Sequence, residues 1–333
     1  NQKETYTYKE NPYTHKQTLE THLRKIVVTG GAGFLGSHLV DKLIREGEEI
    51  IVIDNLFRGQ TENIEQHIPN KKFTLLNDEI QNKTKINDAL HLADAVIHFA
   101  SISSVFRSIV EPEIVNTINV TGTLNMLNLC IKEEVQCFIF ASSAAVYGGD
   151  RNRPLQENDS LHPLSPFAAS KIAGEAYCKA YSETYGLNTI ILRFMNIYGP
   201  RITKVYRRVC SKFAEATIRN EPLVIAGDGK QTRDFTYVTD AINAILLALN
   251  KKDIKGETFN IGTGKPTTIN QLANLYKKIS VNSKQEIKHI NAKKGDLIYS
   301  YADITKAKKK IGYNPKIDVE TGIPKYFEWY KKQ

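Results

Sequence analysis

Residues 26–36 read IVVTGGAGFLG, an apolar run that passes through spaced glycines into an amphipathic segment. The run has the composition of a buried strand, and the apolar period over residues 37–45 is that of a helix. A strand, a G-x-x-G-x-x-G loop and a helix in this order are typical of a dinucleotide-binding βαβ unit. Gly30 would permit the tight turn, Gly33 the approach of a pyrophosphate, and Gly36 close packing of the helix, whose N-terminus would face the phosphates.

The second strand-like run ends in an acidic residue, Asp54. An acid at this spacing accepts hydrogen bonds from the adenosine ribose hydroxyls, and its charge repels a 2′-phosphate. The sequence therefore favours NAD over NADP as the cofactor. Arg58, four residues further on, keeps NADP open as the alternative.

Strand-like runs alternate with helical stretches up to about residue 194, at residues 25–29, 50–54, 95–99, 138–142 and 189–193. This alternation predicts an α/β fold with a Rossmann-like, doubly wound parallel sheet. Beyond Asn196 the pattern is irregular, as expected of a smaller lobe. We expect an N-terminal extension (1–24), an NAD-binding Rossmann domain (25–194) and a C-terminal α/β substrate-binding lobe (195–333). Part of residues 235–262 should return to the Rossmann domain.

The composition is that of a soluble globular protein, with 41% hydrophobic and 24% charged residues among 333. No apolar run approaches a membrane span, and the first 24 residues do not resemble a signal peptide, so we expect a cytoplasmic location.

The four cysteines are widely spaced, without a C-x-x-C pair or a His cluster, which favours reduced thiols and no metal site. The net charge of +9 is concentrated in C-terminal lysine clusters and suits an anionic substrate such as a nucleotide diphosphate. No nucleic-acid-binding module is evident.

Four further segments follow the glycine loop: FIFASSAAVYG at 138–148, PLSPFAASK at 163–171, LRFMNIYGPR at 192–201 and GDGKQTRDF at 227–235. In this order they resemble the extended short-chain dehydrogenase/reductase family, and within it the NAD-dependent UDP-sugar 4-epimerases. The likeness covers nearly everything after residue 24. The cofactor contacts that the resemblance implies are Gly30, Gly33, Phe34, Leu35, Gly36, Asp54, Asn55, Ala100 and Lys171.

The same resemblance implies a catalytic serine, tyrosine and lysine. Ser143 and Lys171 match the serine and the lysine, but Phe167 occupies the position of the tyrosine. Residues at i and i+4 share a helical face, so the lysine ammonium would favour a phenolate there. Phenylalanine has no proton acceptor, and losing a general base costs roughly a hundredfold to ten-thousandfold in rate. We interpret Phe167 as an engineered change that keeps the ring and the binding of substrate; a natural pseudoenzyme or altered chemistry are the alternatives.

Ala144 and Ala145 follow the serine. Sugar 4,6-dehydratases of this family carry an Asp-Glu pair there, and decarboxylating relatives usually keep a glutamate at the position of Ala145. The resemblance therefore implies 4-epimerisation: hydride leaves C4, the 4-keto sugar rotates, and hydride returns to the opposite face, which regenerates NAD.

The resemblance also assigns substrate contacts beyond residue 195. Arg233 and the basic pair Lys293 and Lys294 would bind the diphosphate, and Asn196 would contact the sugar diphosphate. Asp296, two residues after the pair, is a further predicted substrate contact. Ser300 falls where related 4-epimerases gate the C2 substituent, and a small residue there favours UDP-GlcNAc or UDP-GalNAc.

Three other functions are compatible with the sequence. Arg207 and Arg208 would suit an additional negative charge, as on a UDP-uronic acid. A dehydratase with acids outside the usual pair is a second alternative, and a catalytically silent protein that binds NAD and a sugar nucleotide is a third. The resembling family usually forms homodimers through two helices of the Rossmann lobe.

Overall fold

The computed structural model describes residues 24–149, 151–202, 208–280, 285–292 and 297–333, and a seven-stranded parallel sheet lies at its centre. In spatial order its strands are β11 (Thr258–Ile261), β6 (Asn188–Phe194), β5 (Cys137–Ser143), β4 (Ala95–His98), β1 (Lys25–Thr29), β2 (Glu49–Ile53) and β3 (Phe73–Leu76). The chain runs outward from β1 to β3 and then crosses to β4, so the strand order reverses between β1 and β4. In such sheets ligands bind at this point, outside the carboxyl ends of the strands.

Short strands form three two-stranded sheets: β7 (Asn196–Tyr198) with β10 (Phe235–Tyr237), β8 (Leu223–Ala226) with β13 (Ile287–Ile290), and β9 (Thr232–Arg233) with β12 (Thr267–Thr268). The α-helices are α1 (Phe34–Arg45), α2 (Lys83–Leu90), α3 (Val105–Val110), α4 (Pro112–Asn116), α5 (Gly122–Lys132), α6 (Pro166–Tyr185), α7 (Val209–Ile218), α8 (Val238–Leu249), α9 (Ile269–Ile279), α10 (Thr305–Ile311) and α11 (Val319–Tyr330). A π-helical turn, Thr117–Thr121, lies between α4 and α5.

Both faces of the central sheet are covered. Ile26 and Val28 of β1 belong to one hydrophobic cluster, which includes residues of α1 and α8, whereas Val27 belongs to a second, with residues of α2, α5 and α6. Successive side chains of a strand point to opposite faces, so a strand buried on both sides is continuously apolar. This arrangement confirms the predicted α/β, Rossmann-like fold.

The central sheet contains two strands beyond the five strand-like runs of the sequence. β3, with the sequence FTLL, was not predicted, because four residues at a sheet edge carry too little pattern. β11 pairs with β6, which places part of the segment 235–262 in the central sheet. Helix α1 also begins earlier than the apolar period suggests, at Phe34, directly after Gly33, so that Gly36 lies within the helix. The division of the chain at residues 24 and 194 stays a prediction.

In the part of the chain that the structure describes, no helix combines the length and apolar character that a membrane crossing requires. All four cysteines are buried free thiols, as the sequence suggested. The cytoplasmic location stays a prediction.

A buried ion pair joins α6 to the central sheet. Arg193 of β6 donates to Glu175 of α6 through Nη2 (2.6 Å) and Nε (2.9 Å), and both side chains are 2% exposed. Ser142 at the end of β5 donates to the same carboxylate, and Arg193 Nη1 donates to the hydroxyl of Tyr147 (2.9 Å). That hydroxyl donates to Asn260 of β11 (2.6 Å). The network therefore ties α6 to three adjacent strands.

We expect Glu175→Gln to lower the free energy of unfolding by about 3–5 kcal/mol, because Arg193 would keep a buried charge without its counter-charge. Urea denaturation followed by circular dichroism measures this change. Glu183→Gln, at an exposed position of the same helix, is the control and should shift stability by no more than about 0.5 kcal/mol. A loss below about 1 kcal/mol for Glu175→Gln would show that the pair does not hold the helix.

Candidate active site

A cleft of about 1220 Å³ lies at the carboxyl edge of the central sheet. Its wall is formed by the glycine loop, the residues that follow β2 and β4, the ends of β5 and β6, and parts of α6, α7, β8 and β9. The cleft thus lies where the reversal of strand order places a ligand.

The structure places every predicted site residue that it describes in this one cleft. Those on its wall are Gly30, Gly33, Phe34, Leu35, Gly36, Asp54, Asn55, Ala100, Ser143, Phe167, Lys171, Asn196, Arg233 and Ser300. Arg58 and Arg208 line it as well. Asp296, Lys293, Lys294 and Arg207 lie outside the described residues. Residues up to 270 positions apart in the sequence therefore meet, although their individual roles stay predictions.

The glycine loop leaves room for a phosphate group. Gly30 has φ +70°, and a Cβ there would lie 2.9 Å from the backbone nitrogen of Ala100. A Cβ on Gly36 would lie 2.2 Å from the carbonyl oxygen of Gly30, so the loop and α1 can approach only without side chains. Gly33 is the N-cap of α1 and supplies no side-chain acceptor to its first amides. These amides can meet an anion, so the loop fits the pyrophosphate of a dinucleotide.

Asp54 follows β2 with its carboxylate on the cleft wall. Its oxygens accept hydrogen bonds from the backbone nitrogens of Ala32 and Leu56, both at 2.9 Å. Burial raises the pKa of Asp54 above its usual value, and these two hydrogen bonds oppose the shift. A carboxylate has about four acceptor sites, so two remain for the hydroxyls of a ribose. The residues present therefore fit an adenosine ribose.

Phe167 and Lys171 are placed by the start of α6. Ser165 caps the helix by accepting a hydrogen bond from the nitrogen of Ala168 (3.2 Å), and Pro166 occupies its first turn. Phe167 is thus in the first turn and Lys171 one turn later, on the same face. Both are buried, with 6% and 5% of their surface exposed.

Lys171 carries its ammonium into an apolar setting. Its Nζ donates to the carbonyl oxygen of Ala141 (2.8 Å) and lies 5.0 Å from the centre of the Phe140 ring. Burial lowers the pKa of Lys171 to about 8, an effect that nearby Cys178 and Glu175 oppose. The cation is therefore the main form at neutral pH, beside a ring at position 167 that has no oxygen.

Ser143 is the last residue of β5, directly before a 3-10 turn, Ala144–Val146. Its Oγ accepts a hydrogen bond from the nitrogen of Ala145 (3.2 Å) and keeps its own proton to donate. Strand geometry therefore presents a hydroxyl on the wall that also carries Phe167 and Lys171.

Sequence reasoning missed two parts of the wall. One part is Ser101 and Ser103 in the loop after β4, with Arg107 of α3, and the carboxyl end of a predicted strand could have indicated this region. Val209 and Phe213 of α7 also line the cleft, as do residues of β8. Their apolar patterns are those of ordinary core residues, so the sequence carries no signal for them.

Across the described ranges, no group of three or more His, Cys, Asp or Glu side chains is arranged to hold a metal ion. The cleft wall carries hydroxyls, amides and cations, together with the carboxylates of Asp54, Asp78, Glu79, Glu215 and Glu221. This set suits a dinucleotide and a phosphorylated ligand.

Comparison with known proteins agrees with this chemistry. The model of the NAD dependent epimerase/dehydratase family matches residues 26–262. The matched range contains β1 from its second residue, the glycine loop, β2 to β11 and all of α6.

Three solved structures are similar over 92–93% of this chain and 99% of their own. The UDP-glucose 4-epimerase of Thermotoga maritima, with UDP-glucose, has 39% identity and a TM-score of 0.85. The UDP-N-acetylglucosamine 4-epimerase of Methanobrevibacter ruminantium, with UDP-N-acetylmuramic acid, has 35% identity and a TM-score of 0.88. The third, a Tyr-to-Phe mutant of the UDP-glucuronic acid 4-epimerase of Bacillus cereus with a fluorinated UDP-glucuronic acid and NAD, has 32% identity and a TM-score of 0.85. The predicted relationship is confirmed: the chain belongs to the NAD dependent epimerase/dehydratase family, whose members are extended short-chain dehydrogenases.

Proposed function

We propose that this chain is built for the NAD-dependent 4-epimerisation of a UDP-hexose, and that Phe167 leaves it able to bind this substrate but slow to convert it. One observation carries the proposal: Ser143, Phe167 and Lys171 share a cleft wall with the glycine loop and with Arg233. The three similar enzymes, each named as a UDP-sugar 4-epimerase, support the reaction.

The glycine loop, Asp54 and Lys171 would hold NAD. Bound there, NAD supplies the hydride acceptor and donor that inversion at C4 requires. Lys171 keeps its charge near the nicotinamide ribose and can donate a hydrogen bond to it. The buried position of Lys171 favours a fixed geometry for that contact.

Ser143 would hold the 4-hydroxyl of the sugar by a hydrogen bond. A proton must leave that hydroxyl as hydride leaves C4, and a tyrosine at position 167 would be the group that accepts it. Phe167 fills the space of a tyrosine but accepts no proton. We therefore place the defect in the proton transfer and not in binding.

The substrate that we propose is UDP-GlcNAc or UDP-GalNAc. Ser300 lies on the cleft wall and is buried, so a small side chain borders the space for the sugar. Asn196 and Arg233 would contact the diphosphate. The similarity to an enzyme named for UDP-N-acetylglucosamine supports this choice.

A UDP-uronic acid is the second candidate. Arg208 lies on the same wall and brings a cation that an N-acetylhexosamine would not need. The similarity to a UDP-glucuronic acid 4-epimerase favours the same reading. The third candidate is a silent protein that binds NAD and a sugar nucleotide.

We expect Phe167→Tyr to raise the rate of 4-epimerisation by about a hundredfold to ten-thousandfold, because it restores the proton acceptor beside Lys171. Product analysis by liquid chromatography, with UDP-GlcNAc, UDP-Glc and UDP-GlcA in turn, measures the rate and identifies the sugar. Phe99→Tyr, at another phenylalanine of the cleft wall, is the control and should restore nothing. No activity of Phe167→Tyr on any of the three would favour the silent protein.

We expect Asp54→Asn to raise the Kd of NAD about tenfold and to narrow the preference for NAD over NADP, because the charge that repels a 2′-phosphate is gone. Titration calorimetry with both dinucleotides measures the two constants. Asp78→Asn, at another carboxylate of the cleft wall, should leave both unchanged. If the two substitutions changed the Kd values equally, Asp54 would not be the residue that binds the adenosine ribose.

We also propose that a second copy of the chain covers helix α3. Phe106, Ile109 and Val110 are exposed on α3, which packs on α6, and Phe106 has 77% of its surface accessible. Apolar groups of this size and proximity are typical of contact surfaces. The family resemblance favours a homodimer over another partner.

If a second copy covers α3, Ile109→Glu should convert the dimer into a monomer, because dimerisation would then bury an unpaired carboxylate. Multi-angle light scattering of the eluted protein gives the mass. Leu92→Glu, at an exposed leucine after α2, should leave the mass unchanged. A parent protein with the mass of one chain at all concentrations would exclude the dimer.

A further inference from the structure

A fully buried carboxylate lies directly behind the part of the cleft wall that holds Arg233 and Ser300. Asp234 has no exposed surface and does not line the cleft, whereas its neighbour Arg233 does. Buried acids are rare unless they are paired or saturated with hydrogen bonds. The function proposed above assigns nothing to Asp234.

Five donors converge on this carboxylate. Oδ1 accepts from the backbone nitrogen and the hydroxyl of Thr263, both at 2.7 Å, and from the hydroxyl of Thr236 at 3.2 Å. Oδ2 accepts from the backbone nitrogens of Gly264 (2.9 Å) and Ala302 (3.3 Å). No cation is among these donors, so backbone and hydroxyl dipoles stabilise the charge. Removing the acceptor would leave buried donors unsatisfied.

The donors belong to segments that are far apart in the sequence. Thr263 and Gly264 form a turn after β11, at which a Cβ on Gly262 would lie 2.4 Å from Asp234 Oδ2. Ala302 ends the segment that carries Ser300 to the cleft. The carboxylate therefore joins β9, the turn after β11 and the segment that reaches Ser300.

The side chain also continues a backbone ladder. The nitrogen of Thr232 donates to the carbonyl oxygen of Ile298 (2.8 Å), and the nitrogen of Asp234 donates to that of Ser300 (2.9 Å). Two residues further along, the nitrogen of Ala302 donates to the carboxylate of Asp234 instead of to a backbone carbonyl. Arg233 is fixed by the same alignment, since its Nη1 donates to the carbonyl oxygen of Leu297 (2.7 Å).

We propose that Asp234 is a positioning residue for the substrate half of the cleft: its carboxylate sets the register between β9 and residues 297–302, and thereby the positions of Arg233 and Ser300. It acts through these two residues and touches neither substrate nor cofactor. The inference rests on the proposed function, because it takes Arg233 as the contact of the diphosphate. NAD binding, which depends on the glycine loop and Asp54, is independent of it.

The test compares Asp234→Asn with Asp240→Asn in the full chain with Phe167 retained. Asp240 is a second buried carboxylate, which accepts from the backbone nitrogens of Lys316 (3.0 Å) and Ile317 (2.9 Å) and does not line the cleft. Both substitutions leave an amide facing backbone donors, so both should lower the melting temperature. Only Asp234→Asn should act on substrate binding.

Titration calorimetry with UDP, which contains the diphosphate but no sugar, and separately with NAD gives the readout. We expect Asp234→Asn to raise the Kd of UDP at least tenfold and to leave the Kd of NAD within about twofold. Asp240→Asn should leave both within about twofold. Thr263→Val, which removes one hydroxyl donor and keeps the side-chain shape, should raise the Kd of UDP by about threefold.

An unchanged Kd of UDP for folded Asp234→Asn would overturn the inference, as would an equal rise for Asp240→Asn or for NAD. If Asp234→Asn does not fold, Thr263→Val decides, and an unchanged Kd of UDP for that variant overturns it. Failure of the proposed function has a different signature: the parent chain would not bind UDP, or Arg233→Ala would bind it as tightly as the parent.

Discussion

The position of α6 governs the site, and the buried Glu175–Arg193 pair fixes that position. Phe167, Lys171 and Glu175 follow one another at intervals of four residues and so share one helical face. The last of them is held by Arg193 of β6 and by Ser142 of β5. Ser143 is the next residue of β5, and Asn196 lies three residues after Arg193. One carboxylate thus sets the relative positions of the helix and two strand ends that form the cleft.

The identity of residue 167 matters because its surroundings are otherwise complete. Ser143 presents a hydroxyl, Lys171 a buried cation, and the glycine loop a cradle for phosphates. An aromatic ring fills the position, so the packing of α6 is kept while the proton acceptor is absent. Under the proposed function, substrate binding would depend on the ring at position 167 and turnover on a hydroxyl oxygen that Phe167 does not have.

Local patterns predicted part of the candidate site. The glycine loop and Asp54 follow from a strand, a glycine spacing and a helical period, whereas Ser143 and Lys171 were assigned by the resemblance to the short-chain dehydrogenase/reductase family. Asp234 lies within the segment GDGKQTRDF, yet the role proposed for it depends on Thr263 and Ala302, which only the tertiary structure brings near. β3 and the contribution of α7 to the wall were not predictable for a related reason, because short or ordinary apolar segments acquire their place from packing.

Electron density from crystals of the unaltered chain, grown with NAD and UDP-GlcNAc, would show most directly whether Phe167 holds substrate without converting it. We expect an intact, unoxidised UDP-GlcNAc beside NAD, with the sugar 4-hydroxyl within hydrogen-bond distance of Ser143 Oγ and against the ring of Phe167, and with the diphosphate at Arg233. A cleft without the sugar nucleotide, or a sugar placed away from Phe167 and Lys171, would contradict it.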